Sequence, residues 1–598
     1  MKRISVLLLL LVSFVAAQDK SRNANITAEE IKAHLNYLAS DALKGRFTGS
    51  PEERKAGDYI KAQFESYGLK PAFNGKWFQE FPFIEKVEMT KKNSITLVGG
   101  TKKTALKVKK DFSTLGFSGK AKLTGEIVFV GYGISAAKLN YDDYAGIDVK
   151  GKVVVAIKNH PEHDSSRSEF ERFTTLRNKA NNAKDKGALG LLIVNGWLPK
   201  NDDIIGEPRY DGAPGMNDFP VVQISRAIAD QLLKGENLVF ADMQKQIDDS
   251  KKPQSFILKN TKVELSAEVN EVQKIARNVG ALLEGNDPTL KNEYIVIGGH
   301  YDHLGIDQMK ESSMYKGADK QIHNGADDNA SGTTGVLEVA EKLAANKGEL
   351  KRSIIFLTFS GEELGILGST YYTNNPSVDI KSITAMLNMD MVGRLNEEKN
   401  LTIIGAGTSS KWKELLNQKN SYGFKLAMSD GGSGGSDHQS FSNKSIPVLF
   451  FFSGTHSDYH KPTDDVDKIN VGGEESILNY VYDITQEIQK LDKRLDYVKV
   501  EEVAQQRPSG RARVTVGTVP EFGYTGAGYK LSGTTEGSPA AKAGMKAGDI
   551  IVKFGPKTVG NIYDFMYAVQ DYKAGDKVDV IVLRDGKETI FTLELIAK

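Results

Sequence analysis

Histidine and acidic residues follow several apolar runs of this 598-residue chain, and residues of these types could build a hydrolytic metal centre. Such a centre needs imidazole and carboxylate ligands that leave one position open for water, and the chain has no cysteine to offer instead. Nine histidines occur in all, yet six of them fall between positions 300 and 460. We therefore predict a metal site in this region, with these candidates: His300, Asp302, Asp327, Asp328, Glu362, Glu363, Asp390 and His460.

Most of these candidates also have a purely structural interpretation. The H-x-D pair at His300 would fit a polar loop, and the Asp-Asp-Asn run before VLEVAEKLA would fit a turn in which Asn329 caps a helix. Glu362 and Glu363 would fit a first helical turn, where acidic residues favour the helix dipole. Neighbouring residues that leave a strand point in different directions, so one glutamate can bind metal while the other acts on water. Taken singly, these motifs leave both interpretations open.

The order of the motifs favours the metal site. A β-branched or aromatic run stands beside each metal motif, helical patterns lie between the runs, and the runs are EYIVIGG, SIIFLTFS, ITAMLNM and IPVLFFFSG. This alternation predicts an α/β fold with a mixed, mostly parallel sheet and flanking helices. Because sites in open α/β sheets form beyond the carboxyl ends of the strands, the candidates should meet there.

Five motifs closely resemble, in this order, the co-catalytic di-zinc metallopeptidases of family twenty-eight, the family of aminopeptidase Y and plasma glutamate carboxypeptidase: GGHYDHLG, GADDNASG, FSGEELGILGS, LNMDMVGR and DYHKPTDD. The resemblance extends to LASDALKGRFTGSPEERKAGDYIKAQFESYGLKP near the N-terminus. It implies two zinc ions, one held by His300 and Asp390 and the other by Glu363 and His460. Manganese or cobalt would also suit these ligands.

The resemblance also decides which aspartate would bridge the two ions, a choice that the residues alone leave open. The family's bridging residue directly precedes the position of Asn329, so Asp328 is selected over Asp327. A strained or cis peptide between Asp328 and Asn329 is implied as well.

The remaining roles follow from the same resemblance. Glu362 would be the general base and acid, taking a proton from a water between the metals and passing it to the leaving amine. Asp302 would orient His300, and Tyr459 would help to stabilise the tetrahedral intermediate. The implied activity is that of an aminopeptidase acting on peptides.

A glycine-rich stretch, SDGGSGGSDHQSF, lies between the strands of Asp390 and His460. Its glycines permit tight turns and a close approach of the backbone to a ligand. The family places substrate-facing residues around the matching Ser-Asp-His, so Asp437 and His438 are predicted to line the substrate pocket. A hydrogen-bonded structural pair is the alternative.

Two further domains are predicted. YDDYAGIDVKGKVVVAI and KANNAKDKGALGLLIVNG resemble the β-rich α/β protease-associated (PA) domain, with an α/β insertion of no separate role as the alternative. EGSPAAKAGMKAGDIIVKFGPKTVGNIYDFMYAVQ resembles the PDZ domains of bacterial proteases, a β-sandwich or barrel whose groove would accept a peptide by strand addition near Tyr529 and Leu531. The alternative is simple packing on the catalytic domain.

The predicted limits are 1–17 for a signal peptide, 18–111 and 268–492 for the catalytic domain, 112–267 for the PA domain, 493–510 for a linker and 511–598 for the PDZ domain. Within them, FQEFPFIEKVEMTKKNSITLVGG is expected to form strands at the edge of the catalytic sheet. His160 and His163 are expected to be surface residues.

The N-terminal MKRISVLLLLLVSFVAA has the cationic start, short apolar run and small-residue end of a secretory signal peptide. Export without any cysteine is typical of a bacterial periplasmic or secreted enzyme. No other stretch is apolar for long enough to span a bilayer. Since 78 basic residues nearly balance 77 acidic ones, the charge indicates no nucleic-acid partner.

Three alternatives to an aminopeptidase stay open. A carboxypeptidase or dipeptidase of the same family would need a cationic pocket, for which Arg394, Lys411 and Lys413 are the nearest basic residues. A glutaminyl cyclase uses a single zinc on a related fold, which the second ligand set at His300 and Asp390 disfavours. A non-catalytic protein would rely on peptide binding in the PDZ groove.

Overall fold

The computed structural model describes residues 23–163, 168–211, 213, 215–306, 312–315, 317–500, 514–520, 527–535, 537–560, 562–569 and 572–597. The predicted signal peptide lies outside these residues. One compact unit comprises Met1–Gln79, Arg277–Gly454 and Asp458–Val500, and the other comprises Glu80–Ala276, Thr455–Ser457 and Glu501–Lys598. A search of the described part of the chain finds no helix with the length and apolar character needed to cross a membrane.

The regular elements alternate between helix and strand through most of the chain. The helices are α1 Ala28–Leu38, α2 Pro51–Ser66, α3 Leu176–Asp185, α4 Arg226–Lys234, α5 Phe240–Ser250, α6 Gly332–Ala345, α7 Leu367–Asn374, α8 Trp412–Lys419, α9 His438–Ser442, α10 Val471–Lys490, α11 Pro539–Lys542 and α12 Ile562–Val569. The strands are β1 Lys70–Pro71, β2 Phe78–Met89, β3 Ser94–Gly99, β4 Lys102–Ala105, β5 Phe112–Thr114, β6 Ala121–Val130, β7 Ser135–Ala136, β8 Tyr141–Asp142, β9 Val153–Ile157, β10 Gly190–Val194, β11 Val221–Ile224, β12 Ser255–Ala267, β13 Val269–Leu283, β14 Tyr294–His300, β15 Ser353–Phe359, β16 Ile383–Met389, β17 Asn400–Ile404, β18 Lys425–Ser429, β19 Val448–Phe452, β20 Val514–Thr515, β21 Thr518–Pro520, β22 Tyr529–Thr534, β23 Ile550–Phe554, β24 Lys557–Thr558, β25 Lys577–Arg584, β26 Lys587–Glu594 and β27 Ile596–Ala597.

The first sheet has nine strands in the order β1-β13-β15-β14-β16-β19-β17-β18, with β2 paired to β13 beside this path. Its central strands β15, β14, β16 and β19 are parallel, while β13 and β17 join antiparallel to them. Every residue of β15 and β16 is buried, which explains their continuous apolar sequences, because a central parallel strand is covered on both faces. The predicted mixed, mostly parallel sheet is confirmed.

The helices that cover this sheet begin where their sequences supply caps. Thr27 accepts a hydrogen bond from the amide of Glu30 at the start of α1, and Asn470 accepts one from Gly473 at the start of α10. Helix α6 packs against α1, α2 and α10, and the buried faces of all four belong to one hydrophobic core with the sheet. This core holds the strand ends, and therefore the candidate ligands, in fixed positions.

A second sheet of eight strands has the order β4-β3-β12-β6-β9-β10-β11-β5. The prediction that SITLVGG lies at the edge of the catalytic sheet is wrong, because β3 pairs with β12 in this second sheet, with Ile95 opposite Leu265. An alternating strand has the same pattern in either sheet, and only its distant partner decides its place. The domain limits near 112 and 268 stay predictions.

His160 and His163 are buried, so their expected place on the surface is wrong. The Nε2 atom of His160 lies 3.1 Å from Glu171, and that of His163 lies 3.0 Å from Asp248. Each carboxylate lies within hydrogen-bond distance of a buried imidazole, which explains how these two polar side chains can pack inside.

The third sheet has the order β21-β22-β23-β25-β26, with β24 on β23. The side chains of Tyr529 and Leu531, predicted at the edge of a peptide groove, are buried in the core of this region, where the Tyr529 ring lies 4.3 Å from that of Phe565. A peptide at β22 would therefore meet the strand's backbone rather than these two side chains. Peptide binding there stays a prediction.

Candidate metal centre

His300, the last residue of β14, lies between two carboxylates. Its Nε2 atom is 3.4 Å from Asp328 Oδ1 and 3.5 Å from Asp390 Oδ2. Strands β14 and β16 are parallel neighbours, with Gly298 opposite Asn388, so His300 and Asp390 emerge at the same edge of the sheet. The three side chains are buried and form one group that could hold a metal ion.

A second group shares the other oxygen of Asp328. His460 Nε2 lies 3.2 Å from Asp328 Oδ2 and 3.4 Å from Glu363 Oε2. The other ring nitrogen of His460, Nδ1, donates to the backbone carbonyl of Ser312 at 2.9 Å, which orients the ring so that Nε2 faces the carboxylates. The structure thus brings together all five predicted ligands, with Asp328 in the centre.

The spacing of these donor atoms fits zinc. Zinc binds imidazole nitrogen and carboxylate oxygen at about 2.0–2.2 Å, so two ligands of a tetrahedral ion are about 3.4 Å apart. The four contacts that Nε2 of His300 and Nε2 of His460 make with the carboxylate oxygens measure 3.2–3.5 Å. The residues present therefore fit two ions that share one carboxylate.

The backbone around the shared aspartate is unusual. The peptide between Asp328 and Asn329 is cis, as predicted. The Asn329 side chain donates to the carbonyl of Met389 at 3.1 Å and accepts from the amides of Gly332 and Met391. Asn329 thus caps the start of α6, as its structural interpretation expected, and also ties Asp328 to the end of β16.

His303 belongs to the site, although the sequence analysis gave it no role. Its Nδ1 atom lies 2.6 Å from Glu363 Oε1 and 3.9 Å from Asp328 Oδ1, and its side chain is fully buried. Together with Asp328 and Glu363, which also belong to the second ligand group, His303 forms a set of residues that could hold a metal ion. The H-x-D-H spacing could have revealed it, because His303 follows His300 by three residues on the same strand-end loop.

Asp302 is held in place by two neighbours. Its Oδ2 atom accepts a hydrogen bond from Thr48 Oγ1 at 2.7 Å, and its Oδ1 atom accepts one from the amide of Glu362 at 3.1 Å. The nearest oxygen to Nδ1 of His300 is the backbone carbonyl of Asp302, at 3.2 Å, while the carboxylate is 3.6 Å away. The structure places Asp302 next to His300, and the orienting role of its carboxylate stays a prediction.

Three parts of the chain match models of known protein domains. Residues 278–485 match the model of peptidase family M28, residues 123–232 match the PA domain, and residues 531–595 match the PDZ domain. The chain contains a peptidase family M28 domain. The predicted PA and PDZ domains are confirmed by their matches.

Relatives of the M28 domain are of modest identity. Leupeptin-inactivating enzyme 1 of Streptomyces exfoliatus is 33% identical over 187 residues, which cover 31% of this chain and 37% of that protein. Aminopeptidase YwaD of Bacillus subtilis is 31% identical over 157 residues, covering 24% of this chain and 34% of the relative. The chain therefore spans about a third of the length of these relatives. The solved aminopeptidase from Aneurinibacillus sp. strain AM-1 is 23% identical with a TM-score of 0.46, over 81% of this chain and 98% of that one.

Glu362 lies beside the first ligand group of the M28 domain without being part of it. Its Oε2 atom is 3.9 Å from His300 Nε2, and its side chain is only 14% exposed. Burial raises the pKa of Glu362 well above the ordinary value for a glutamate, and the charges of Asp390 and Glu363 raise it further, whereas His300 opposes this. A carboxyl group of this kind is suited to carrying a proton.

The charges of the M28 domain ligands compensate one another. Burial alone would raise the pKa of Asp328, yet hydrogen bonds from His300 and His460 hold it well below the ordinary value. Burial would lower the pKa of His460, whereas its contacts with Asp328 and Glu363 raise it to about 9. The centre therefore pairs concentrated negative charge with positive charge.

Tyr459 stacks on the ring of His460, with 3.9 Å between the ring centroids and 22° between the planes. Burial, followed by the charges of Asp328 and Glu363, raises its pKa far above the ordinary value, so its hydroxyl stays protonated. A protonated phenol beside the ligands can donate a hydrogen bond, as the predicted role requires.

Asp437 and His438 are fully buried. Within the described residues, neither carboxylate oxygen of Asp437 and neither ring nitrogen of His438 has a hydrogen-bond partner. Burial raises the pKa of Asp437 to about 7 and lowers that of His438 to about 3. Their neighbour Ser436 donates to Asp390 Oδ2 at 2.7 Å, which places the pair behind the ligand. They do not form the hydrogen-bonded pair of the alternative interpretation, and pocket lining stays a prediction.

The basic residues considered for a carboxylate pocket have acidic partners. Arg394 lies 2.6 Å from Asp458, and Lys413 lies 2.7 Å from Asp430. The third residue, Lys411, lies 3.7 Å from Glu414. These pairs weaken the case for recognition of a substrate carboxylate.

Glu53, in helix α2, links the N-terminal part of the chain to the turn that carries Glu362. It is fully buried, and its two oxygens accept hydrogen bonds from the hydroxyl of Ser360 and, at 2.9 Å, from the amide of Gly49. Burial raises its pKa to about 8, although the bond from Ser360 opposes the shift. Glu53 therefore holds a proton in the folded chain that the unfolded chain releases above pH 5.

Stability should fall as the pH rises through this interval, because the folded chain binds the proton and the unfolded chain does not. E53Q cannot titrate, so its free energy of unfolding relative to the wild type should grow by roughly 4 kcal/mol from pH 5 to pH 8, at about 1.4 kcal/mol per pH unit. Urea denaturation at saturating zinc measures this difference. E52Q is the control: contact with Lys44 lowers the pKa of Glu52, so its difference should not grow, and a flat difference for E53Q would refute the account.

Proposed function

We propose that this chain is an exported aminopeptidase that uses two zinc ions to remove N-terminal residues from peptides. The observation that carries the proposal is the position of Asp328. One oxygen faces His300 at 3.4 Å, beside Asp390, and the other faces His460 at 3.2 Å, beside Glu363. A carboxylate in this position suits two neighbouring ions, as in two-metal hydrolytic sites.

Zinc, when bound by these residues, would polarise the scissile carbonyl and make a water molecule more acidic. Glu362 would accept the proton from that water and return it to the leaving amine, which its raised pKa favours. Tyr459 would donate a hydrogen bond to the oxygen on which negative charge develops. Asp302 and His303 would hold the ligands His300 and Glu363 in position.

The charge of the site supports a choice of the amino end. The three ligand carboxylates, Asp328, Glu363 and Asp390, would offset most of the charge of two zinc ions, so the loaded site would offer little positive charge to a substrate carboxylate. The acidic partners of the nearby basic residues act in the same direction. The name of the related Bacillus subtilis aminopeptidase agrees with this choice.

Export is proposed from the composition of the N-terminal segment alone. Two cationic residues precede a short apolar run, and Val-Ala-Ala follows it. The enzyme would then meet its peptides in the periplasm or outside the cell.

Mass spectrometry of one peptide in three forms tests the activity. We expect stepwise loss from the N-terminus of the free and C-amidated peptides, no loss from the N-acetylated copy, and no cleavage after treatment with a chelator. Trimming from the C-terminus, or equal cleavage of the free and N-acetylated peptides, would indicate a carboxypeptidase instead of an aminopeptidase. No cleavage of any form would contradict peptidase function.

The variant E362Q separates the proton carrier from the ligands. Gln keeps the volume of the side chain but cannot take a proton, so kcat should fall by about 10²- to 10⁴-fold while zinc content stays at the wild-type value. E363Q is the matched variant of the neighbouring ligand and should lose zinc instead. Kinetics together with elemental analysis check both, and a kcat for E362Q within tenfold of wild type would rule out its role.

A further inference from the structure

Arg46 is fully buried. In the hydrogen bonds that the structure gives it, its guanidinium group donates only to backbone carbonyls. The acceptors are Tyr301 (Nε, 2.9 Å), Leu38 (Nη1, 2.5 Å), Asn324 (Nη1, 2.7 Å) and Gly325 (Nη2, 3.1 Å). Tyr301 directly follows His300, whereas Asn324 and Gly325 lead into Asp328. One side chain therefore joins the loop of the first ligand to the loop of the shared ligand.

Asp464 binds backbone amide groups of the loop that carries Asp328. Its Oδ2 atom accepts hydrogen bonds from the amides of Asp327 and Asp328, both at 3.0 Å, and its backbone carbonyl accepts one from Ala326, also at 3.0 Å. Asp464 is fully buried and follows His460 by four residues. It therefore joins the loop of His460 to the loop of the shared ligand.

Arg46 and Asp464 bind the same stretch of backbone, residues 324–328. Arg46 binds carbonyl groups of this stretch, whereas Asp464 binds amide groups. Arg46 binds the carbonyls of Asn324 and Gly325, and the carboxylate of Asp464 binds the amides of Asp327 and Asp328. The backbone carbonyl of Asp464 binds the remaining amide, that of Ala326. Hydrogen bonds in which one partner is charged are shorter and stronger than neutral ones, so such a contact restrains a loop firmly. This matters because a ligand shared by two ions must keep its position to within about 0.5 Å.

We propose that Arg46 and Asp464 are positioning residues that clamp residues 324–328 so that Asp328 can bridge two metal ions. The proposal rests on the metal centre of the proposed function, but it concerns metal binding rather than peptide cleavage. Through this clamp, the three loops that carry His300, Asp328 and His460 keep a common spacing.

Two other buried residues in the chain make the same kinds of bond away from the ligands, and they serve as controls. Asp143 is fully buried, and its Oδ2 atom accepts from the amides of Tyr132 and Ile134 at 3.1 and 3.0 Å. Arg352 is fully buried and donates to the carbonyls of Ile488 and Leu491 at 2.9 and 2.7 Å. Changes at these sites should affect stability in the same way as changes in the clamp.

The experiment compares D464A, D464N and R46K with the controls D143A and R352K, all in the full chain. Zinc affinity is measured by competition with a chelator, the geometry of the site by the visible absorption spectrum of the Co²⁺-loaded protein, and stability by the thermal midpoint.

We expect D464A and R46K to bind zinc about 10- to 100-fold more weakly, with an altered Co²⁺ spectrum, as is typical when a partner of a metal ligand is lost. A lysine ammonium cannot reproduce the planar fork that reaches several carbonyls. D464N should stay within about threefold of wild type, because its amide oxygen can still accept both backbone bonds. The controls should lower the thermal midpoint yet leave the affinity and the spectrum unchanged.

Wild-type zinc affinity and spectrum in folded D464A and R46K would overturn the proposal, and so would an equal loss of affinity in the controls. If D464A does not fold, D464N and R46K are compared instead. Weak zinc binding in R46K alone supports the clamp. An equal loss in D464N, which keeps an oxygen that can accept both backbone bonds, overturns it. Wild-type protein that binds zinc but cleaves no peptide would refute the proposed function alone.

Discussion

The shared carboxylate of Asp328 is the contact on which the rest of the site depends. Each of its oxygens faces a different imidazole, His300 at 3.4 Å and His460 at 3.2 Å, and further carboxylates stand close to both rings. So many acidic groups in a buried volume would repel one another strongly unless positive charge lay between them. Imidazoles, a buried arginine and metal ions are the groups that can supply it, and the surrounding fold is arranged to hold them there.

The sheet meets this requirement with parallel strands that end at one edge. Strands β14, β15 and β16 are neighbours, and the residues at or just after their ends include the predicted ligands His300, Glu363 and Asp390 and the predicted base. Every residue of β15 and β16 is buried and most are apolar, so packing in the hydrophobic core fixes the strand ends. The loops that follow are held by hydrogen bonds that Thr48 and Asn329 donate and that Asp464 accepts. A rigid core and restrained loops together place groups that repel one another at short range.

Much of this arrangement could be predicted from the sequence because short-range patterns encode it. The strands, the ligand types and their order follow from apolar runs and from motifs, and the structure brings the five ligands together. Features that depend on distant partners could not be predicted. The strand at Ser94–Gly99 has the same alternation in either sheet, and the buried His163 finds its hydrogen-bond partner in Asp248, 85 residues away. The H-x-D-H spacing could indicate His303, but its contact with Glu363 joins two loops that are 60 residues apart and has no signal in the sequence.

A crystal structure of the zinc-loaded chain, with anomalous data collected on both sides of the zinc absorption edge, tests the central claim most directly. The account predicts two zinc peaks, one beside His300 and Asp390 and one beside Glu363 and His460, with an oxygen of Asp328 within about 2.2 Å of each. A single peak, or two peaks of which Asp328 contacts only one, would contradict the shared carboxylate and with it the proposed two-metal chemistry.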